Sequence, residues 1–457
     1  MIDTSAFQDK RAKYYTLGCK LNFAETATFA QDLYNKGVIE AADNEVADIC
    51  LINTCSVTEM ADHKCRQQIH KMVRENPGAL VVITGCYAQL QAEKIASIPG
   101  VSMVLGSDEK AQLVDYLGQM LTERNQHSDD NTSTQGTAKG WYHKLKTKDI
   151  KSFQPSCAKG NRTRYFLKVQ DGCNYFCTYC TIPYARGLSR NASIKELIKQ
   201  AEQVALEGGK EIVITGVNIG DYGRSTNERF VDLVKALDQV EGIQRYRISS
   251  LEPDLISDEL IEYCAQSRAF MPHFHIPLQS GSDEVLKLMH RRYDVQLFAD
   301  KIHLIKSLMP SAFIGVDVMV GCRGEKPEYF DDCYNFLSAL DVTQLHVFPY
   351  SERPGTAALK IPYIVSDADR KERVHKLLAL SQQKTEAFYS QHIGKEAEVL
   401  FEKAPLGKTM NGFTDNYIRV ELPPTVAKTE YDNQIIKVRL GKMNSKHTAL
   451  CVDELFL

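Results

Sequence analysis

No run of this sequence is apolar for long enough to cross a bilayer. The longest, residues 79–84 (ALVVIT) and 312–321 (AFIGVDVMVG), fall far short of the ~20 residues a membrane helix needs. The opening residues, MIDTSAFQDKRAKYY, hold no apolar secretion-signal core. Both absences lead to the expectation of a cytoplasmic protein with no membrane partner. Charge of either sign is not in excess either: 55 Lys and Arg stand against 58 Asp and Glu, a net charge of −3. A polyanion would therefore have to be met by a local basic patch. Internal repeats and long low-complexity tracts are missing too, which excludes a solenoid or an array. What remains is ordinary globular composition, 43% hydrophobic and 25% charged over 457 residues, enough for two to four domains with real cores.

Cysteine, by contrast, is abundant, with thirteen in the chain. Without a secretion signal these are better explained by metal binding, catalysis and core packing than by a disulfide framework. Residues 170–187, QDGCNYFCTYCTIPYARG, carry Cys173, Cys177 and Cys180. Such spacing lets three sulfurs of one loop converge, whereas a disulfide between near neighbours would close a small strained ring. Structural zinc and iron–sulfur clusters ordinarily take four protein ligands, so a trio implies a distant fourth ligand or an open site. Cys157, sixteen residues before Cys173, keeps a zinc site in contention.

A second trio emerges from strand ends: Cys19 in TLGCKLN, Cys55 in INTCSVTE and Cys86 in ITGCYAQ. Each follows a predicted strand where a helix should begin, and in a parallel sheet such positions share one edge. Helix N-termini also favour the thiolate, the form that binds iron. Three buried core cysteines are the alternative. Cys65 follows Cys55 closely enough to suggest an extra ligand, but its helical context predicts a surface residue. Cys50, Cys157, Cys264, Cys322, Cys333 and Cys451 read as packed or solvent-exposed thiols.

Along the chain, residues 12–125 alternate strand-like and helix-like runs, which predicts a parallel α/β domain. Residues 126–160 are polar and read as a linker. From 161 to 391 the alternation resumes with six strand-like runs, for example 210–218 (KEIVITGVN) and 312–321, predicting an open or closed β/α barrel ended by a helix within 368–393. Residues 392–457 show short alternating strands with Gly, Pro and Asn turns, a small all-β barrel. The fold class is thus α/β with an all-β C-terminal module.

The CxxxCxxC of Cys173, Cys177 and Cys180 after the first barrel strand resembles the radical S-adenosylmethionine (SAM) superfamily. The segments TLGCKLNFAET (16–26), INTCSVTEMAD (52–62), TGCYAQ (84–89), HIPLQSGSDEVLKLMHRRY (275–293) and FPYSERPGTAA (348–358) further resemble the methylthiotransferases within it. The resemblance covers residue 13 to the C-terminus. It implies an N-terminal methylthiotransferase domain, a radical SAM partial barrel and a C-terminal OB-like TRAM module that binds RNA. It implies that Cys173, Cys177 and Cys180 hold a [4Fe-4S] cluster whose open iron takes SAM, and that Cys19, Cys55 and Cys86 hold an auxiliary [4Fe-4S] cluster. TLGCKLN, ITGVNIGDYG (214–223) and YARGLSR (184–190) look most like the branch that methylthiolates C2 of N6-threonylcarbamoyladenosine at position 37 of tRNA. Isopentenyladenosine and ribosomal protein S12 are the alternative substrates. VGCRGE (320–325) departs from the family's GFPGE, with Cys322 and Arg323 in place of Phe and Pro.

The same resemblance implies SAM contacts at Tyr179, Gly216 and Asn218, with Ser249 and Gln279 added because barrel function gathers at strand C-termini. It also implies partners: a tRNA anticodon stem-loop, an electron donor such as flavodoxin or ferredoxin, and a sulfur donor. RNA binding has support from the residues themselves. Between Lys139 and Lys168, nine Lys or Arg, Arg162 and Arg164 among them, face one acid, Asp149, with aromatic residues interleaved. Basic groups neutralise phosphates and aromatics stack on unpaired bases, although a solvated linker accounts for the part before 160 equally well. His290, Arg291 and Arg292 form a smaller basic patch.

Overall fold

Ile49–Thr54 (ICLINT) and Leu80–Gly85 (LVVITG) are buried at every position. This follows from their place at the centre of a parallel sheet, where helices cover both faces. The computed structural model in which they lie describes residues 4–127, 140–143, 150–158, 163–405 and 407–456. The chain divides into two units, Met1–Gly160 with Asp171–Asn174 and Cys180–Arg190, and Asn161–Gln170 with Tyr175–Tyr179 and Asn191–Leu457.

The first unit holds a six-stranded sheet of β1 (Arg11–Thr16), β2 (Ile39–Glu40), β3 (Ile49–Thr54), β4 (Leu80–Gly85), β5 (Met103–Leu105) and β6 (Trp141–His143), arranged β2-β1-β3-β4-β5-β6 and all parallel. Helices α1 (Lys20–Tyr34), α2 (Glu59–Glu75) and α3 (Cys86–Leu90) follow β1, β3 and β4, and two apolar clusters fill the two faces of the sheet. On α2, Thr58 caps the first turn by accepting from the Ala61 amide, and Asp62, Cys65, Ile69 and Met72 form the buried stripe. Cys65 is fully buried, which corrects the expectation of a surface thiol: its spacing from Ile69 and Met72 places it on the apolar face. Strand β6 lies within the segment expected to be a linker and adds a sixth strand, beside β5. A short helix, α4 (Ile182–Arg186), also belongs to this unit and packs on α3.

The second unit contains the six expected barrel strands: β7 (Tyr165–Lys168), β8 (Glu211–Thr215), β9 (Arg245–Ile248), β10 (His273–Gln279), β11 (Phe313–Val320) and β12 (Gln344–Pro349). They pair in parallel as β9-β8-β7 and β10-β11-β12. Isolated bridges, Tyr246 to Phe270 and Ser250 to His275, link the two halves. Among the described residues no pairing returns β12 to β7, so the barrel is partial. Alternation along β11 shows which side is which: Val316, Val318 and Val320 are buried, while Asp317 and Met319 are half-exposed on the other face.

The C-terminal strands β13 (Glu396–Phe401), β14 (Met410–Thr414), β15 (Arg419–Leu422), β16 (Ile435–Met443) and β17 (Leu450–Phe456) close into a five-stranded barrel of order β13-β14-β15-β17-β16. Its core is continuous with Phe313, Phe388 and Tyr389. Arg247, 1% exposed, donates to the Thr414 and Asp415 carbonyls at 2.7 and 2.8 Å while its Nε meets Glu211 at 2.9 Å. Because Glu211, Arg245 and Phe313 begin β8, β9 and β11, the small barrel is seated where strands start. The C-terminal strand ends, where parallel sheets place their chemistry, remain on the other side. Among the described residues no helix is long and apolar enough to cross a membrane.

Candidate functional site

In the first unit Cys19 is the residue before α1, Cys55 directly follows β3, and Cys86 opens α3. They stand at the ends of three adjacent strands, β1, β3 and β4. Two glycines permit the approach. At Gly18 (φ +109°) a Cβ would lie 2.8 Å from the Cys55 Cβ and 3.1 Å from its sulfur; at Gly85 (φ +97°) it would lie 2.3 Å from the Thr54 carbonyl oxygen. The buried Asn22 amide donates to the Leu17 carbonyl (2.8 Å) and the Thr54 carbonyl (3.1 Å), tying the turns after β1 and β3 together. Arg186, from α4, donates Nε–H to the Cys86 sulfur at 3.3 Å.

The electrostatics follow from that crowding. Burial pushes the Cys55 thiol up to about 12, and the Cys86 and Cys19 sulfurs add to the rise. Burial also raises Cys86, against the pull of the Arg186 guanidinium. Sulfurs that oppose one another's ionisation hold protons until a shared cation replaces them. Three thiols at one sheet edge, a cradle that a Cβ would fill and a guanidinium on one sulfur fit a three-cysteine iron–sulfur cluster. Cys65 does not complete the set as a fourth ligand: its thiol donates to the Cys55 carbonyl at 3.4 Å.

The CxxxCxxC residues are divided between the units. In the first, the Cys173 amide donates to the Gly187 carbonyl (3.0 Å) and the Cys180 sulfur accepts from the Ile182 amide (3.4 Å). In the second, Cys177 is buried, and Arg291 donates to its sulfur at 3.2 Å. Arg291 is also ion-paired with Glu252 and lies over the Tyr293 ring. Burial pushes the Glu252 carboxyl up to about 7, with Asp254 and Asp317 adding and Arg291 opposing. Tyr175 donates to Asp254, and Arg292 stacks on the Tyr175 ring at 4.1 Å.

The residues expected to contact SAM lie in the second unit. Tyr179 packs against the cluster of Val285, Met289, Cys322, Tyr350 and Ala358. Gly216 and Asn218 follow β8, where the Val217 and Asn218 amides donate to the Gln170 side chain. Ser249 follows β9, and Gln279 ends β10 with a positive φ of 66°. Of the arginines expected at RNA, Arg164 is engaged by Glu402 (2.9 Å) and Glu211 (3.8 Å) and lies over Phe413. Arg291 is turned to Glu252 and Cys177, Arg292 is exposed, and Arg162 lies outside the described residues. In the departed loop, Cys322 is buried, and Arg323 ties Glu352 to the carbonyls of Leu359 and Ile361.

Sequence reasoning assigned no role to Arg186, Asn22, Glu25, Asp171 or Glu252. Nor did it single out His275, Asp317 and His346, whose ligand atoms lie within 4.8 Å of one another on β10, β11 and β12, with His275 Nε2 2.7 Å from Asp317 Oδ1. The available signal was a charged or imidazole side chain inside an otherwise apolar strand, as in FIGVDVMV.

Comparison with known proteins bears on this geometry. Residues 11–106, which include Cys19, Cys55 and Cys86, match an uncharacterized protein family, UPF0004, and residues 167–337 match the Radical SAM superfamily. The chain is 39% identical over 436 residues, 94% of its length and 93% of the relative's, to threonylcarbamoyladenosine tRNA methylthiotransferase MtaB of Bacillus subtilis (strain 168). The chain belongs to the radical SAM methylthiotransferase family. It is also 30% identical over 401 residues, 86% of the chain and 87% of the relative, to tRNA-2-methylthio-N(6)-dimethylallyladenosine synthase of Pelotomaculum thermopropionicum. Among solved structures, the radical SAM methyltransferase TsrM from Kitasatospora setae shares the fold, with a TM-score of 0.53 over 74% of this chain and 73% of that one at 14% identity. Membership makes the protein an enzyme that transfers a methylthio group, with [4Fe-4S] and SAM as its cofactors.

Proposed function

We propose that the protein converts N6-threonylcarbamoyladenosine at position 37 of tRNA to its 2-methylthio derivative. Methylthio transfer is supported by the convergence of Cys19, Cys55 and Cys86 at one sheet edge, in a chain that also carries the CxxxCxxC trio, and the threonylcarbamoyladenosine substrate by the 39% identity to the MtaB relative. A hydrogen on the sp² C2 of adenine is not acidic, so a general base alone cannot replace it. Cys173, Cys177 and Cys180 would hold one [4Fe-4S] cluster and Cys19, Cys55 and Cys86 the other. When bound, the clusters and SAM supply the electron, the radical and the methylated sulfur.

The chain's own groups hold and orient. Arg291 fixes the Cys177 sulfur from the protein side, and Glu252 holds Arg291 in turn. Tyr179, Gly216, Asn218, Ser249 and Gln279 would receive SAM at the C-terminal strand ends. Residues 392–457, a closed five-stranded barrel, would serve as the TRAM module on the anticodon stem-loop. Residues 12–125 would form the methylthiotransferase domain, 126–160 the connection and 161–391 the radical SAM core. Arg292 is the one of the four arginines that is exposed among the described residues, and it is the first choice for a phosphate contact. A flavodoxin or ferredoxin would supply electrons, a separate donor the sulfur, and the cytoplasm the setting.

Turnover of defined substrates tests this reading. Anaerobically reconstituted protein with SAM and a reductant should methylthiolate tRNA carrying threonylcarbamoyladenosine and leave tRNA carrying isopentenyladenosine unchanged, read by nucleoside mass spectrometry. The reverse preference would overturn the substrate assignment.

A further inference from the structure

Arg186 lies six residues beyond Cys180, yet its side chain is 2% exposed and among the largest buried of the described residues. Every edge of its guanidinium is occupied. Nε donates to Cys86 Sγ at 3.3 Å, Nη2 to Asn22 Oδ1 at 2.6 Å, and Nη1 to Glu25 Oε1 and Asp171 Oδ1 at 3.1 and 3.0 Å. The two carboxylates are shared. Lys110 Nζ reaches Glu25 Oε1 at 2.6 Å, and Arg190 Nη2 reaches Asp171 Oδ2 at 3.3 Å. These five linked side chains therefore carry three positive charges against two negative ones, and none is more than 6% exposed.

Burying a cation costs several kcal/mol unless negative charge and hydrogen-bond acceptors surround it. A neutral thiol is a weak acceptor, whereas a thiolate bound to iron is anionic and takes a charge-assisted hydrogen bond. With Glu25, Asp171 and Asn22 holding both Nη atoms, the Nε–H is the edge left for the sulfur, and its direction is fixed by the network. Asn22 also ties the turns of Cys19 and Cys55 together.

Resting on the two-cluster reading above, we infer that Arg186 is a positioning residue of the Cys19, Cys55 and Cys86 centre: it directs a cationic N–H at the Cys86 sulfur and so raises the reduction potential of the cluster held there. A positive donor at a ligand sulfur favours the state with one more electron, which is how hydrogen bonds to sulfur set cluster potentials. The loop that supplies Cys180 to one cluster thereby supplies the tuning group of the other.

The test is a redox titration of the reconstituted holoenzyme followed by electron paramagnetic resonance, in which added SAM marks the signal of the cluster that binds it. Arg186→Lys keeps the charge but loses the directed Nε–H, and Arg186→Gln with Glu25→Gln removes one charge of each sign. For the SAM-insensitive signal, each variant should lower the one-electron reduction constant at least tenfold, equivalent to 59 mV. Iron content and the SAM-responsive signal should stay as in the parent. An unchanged SAM-insensitive potential in an iron-replete variant, or an equal shift of both signals, overturns the inference. About four irons per chain in the parent rather than about eight would instead overturn the two-cluster reading.

Discussion

On the proposed function the two trios would divide the labour at the scale of single residues. Cys177 is seated by Arg291, and Cys55 by Gly18 and the Asn22 staple. Cys177→Ala should abolish reductive cleavage of SAM to 5′-deoxyadenosine. Cys55→Ala should keep that cleavage measurable and stop sulfur insertion, as read by chromatography of deoxyadenosine beside mass spectrometry of the nucleoside. Loss of cleavage in both folded variants would argue against separate roles. The cysteines themselves were legible because thiols at strand ends and at CxxxCxxC spacing are rare. Arg186 stands in YARGLSR without a legible role, since no local pattern links a residue of one loop to a sulfur one hundred positions earlier. Glu252, His275 and Asp317 were hidden for a similar reason: their meaning depends on which strands are neighbours.

Among elements, the apolar runs ICLINT, LVVITG and FIGVDVMV announced their strands, because buried parallel strands leave little room for polar alternation. The short strand Trp141–His143 was missed because three residues beside a polar tract give no periodicity, and its pairing with Met103–Leu105 is a tertiary effect. The junction after the helix Asp367–Ser390 supplies a pH prediction. His392 is buried; its Nδ1 donates to the Phe388 carbonyl at 2.8 Å and its Nε2 faces the Asn416 amide at 3.1 Å, a pattern that suits the neutral ring. Burial holds its pKa below 6.5, with the Phe388 carbonyl opposing. The unfolded chain thus takes up the proton first, and stability present above about pH 6.5 is lost as pH falls through the folded value. Denaturation midpoints measured from pH 8 to 5 should show this loss, and His392→Gln should flatten it. An identical slope in that variant would assign the loss to other groups.

Over the whole molecule, the C-terminal barrel and the β/α barrel share one buried polar junction, with Arg247 at its centre. Arg247→Met deprives the fully buried Glu211 of its 2.9 Å ion pair, leaving it the more distant Arg164 and Arg245, and strips donors from the Thr414 and Asp415 carbonyls. A loss of about 3–5 kcal/mol in chemical denaturation is expected, and pairing the change with Glu211→Gln should recover part of it. No recovery would mean that the lost carbonyl contacts, not the stranded carboxylate, dominate.

The central claim, methylthiolation of threonylcarbamoyladenosine, is tested most directly by nucleoside mass spectrometry of tRNA from a strain lacking this gene, complemented by the wild-type chain or by Cys55→Ala. The expected result is loss of 2-methylthio-N6-threonylcarbamoyladenosine, restored by the wild-type chain and not by the variant. Persistence of that nucleoside in the strain without the protein would contradict the assignment.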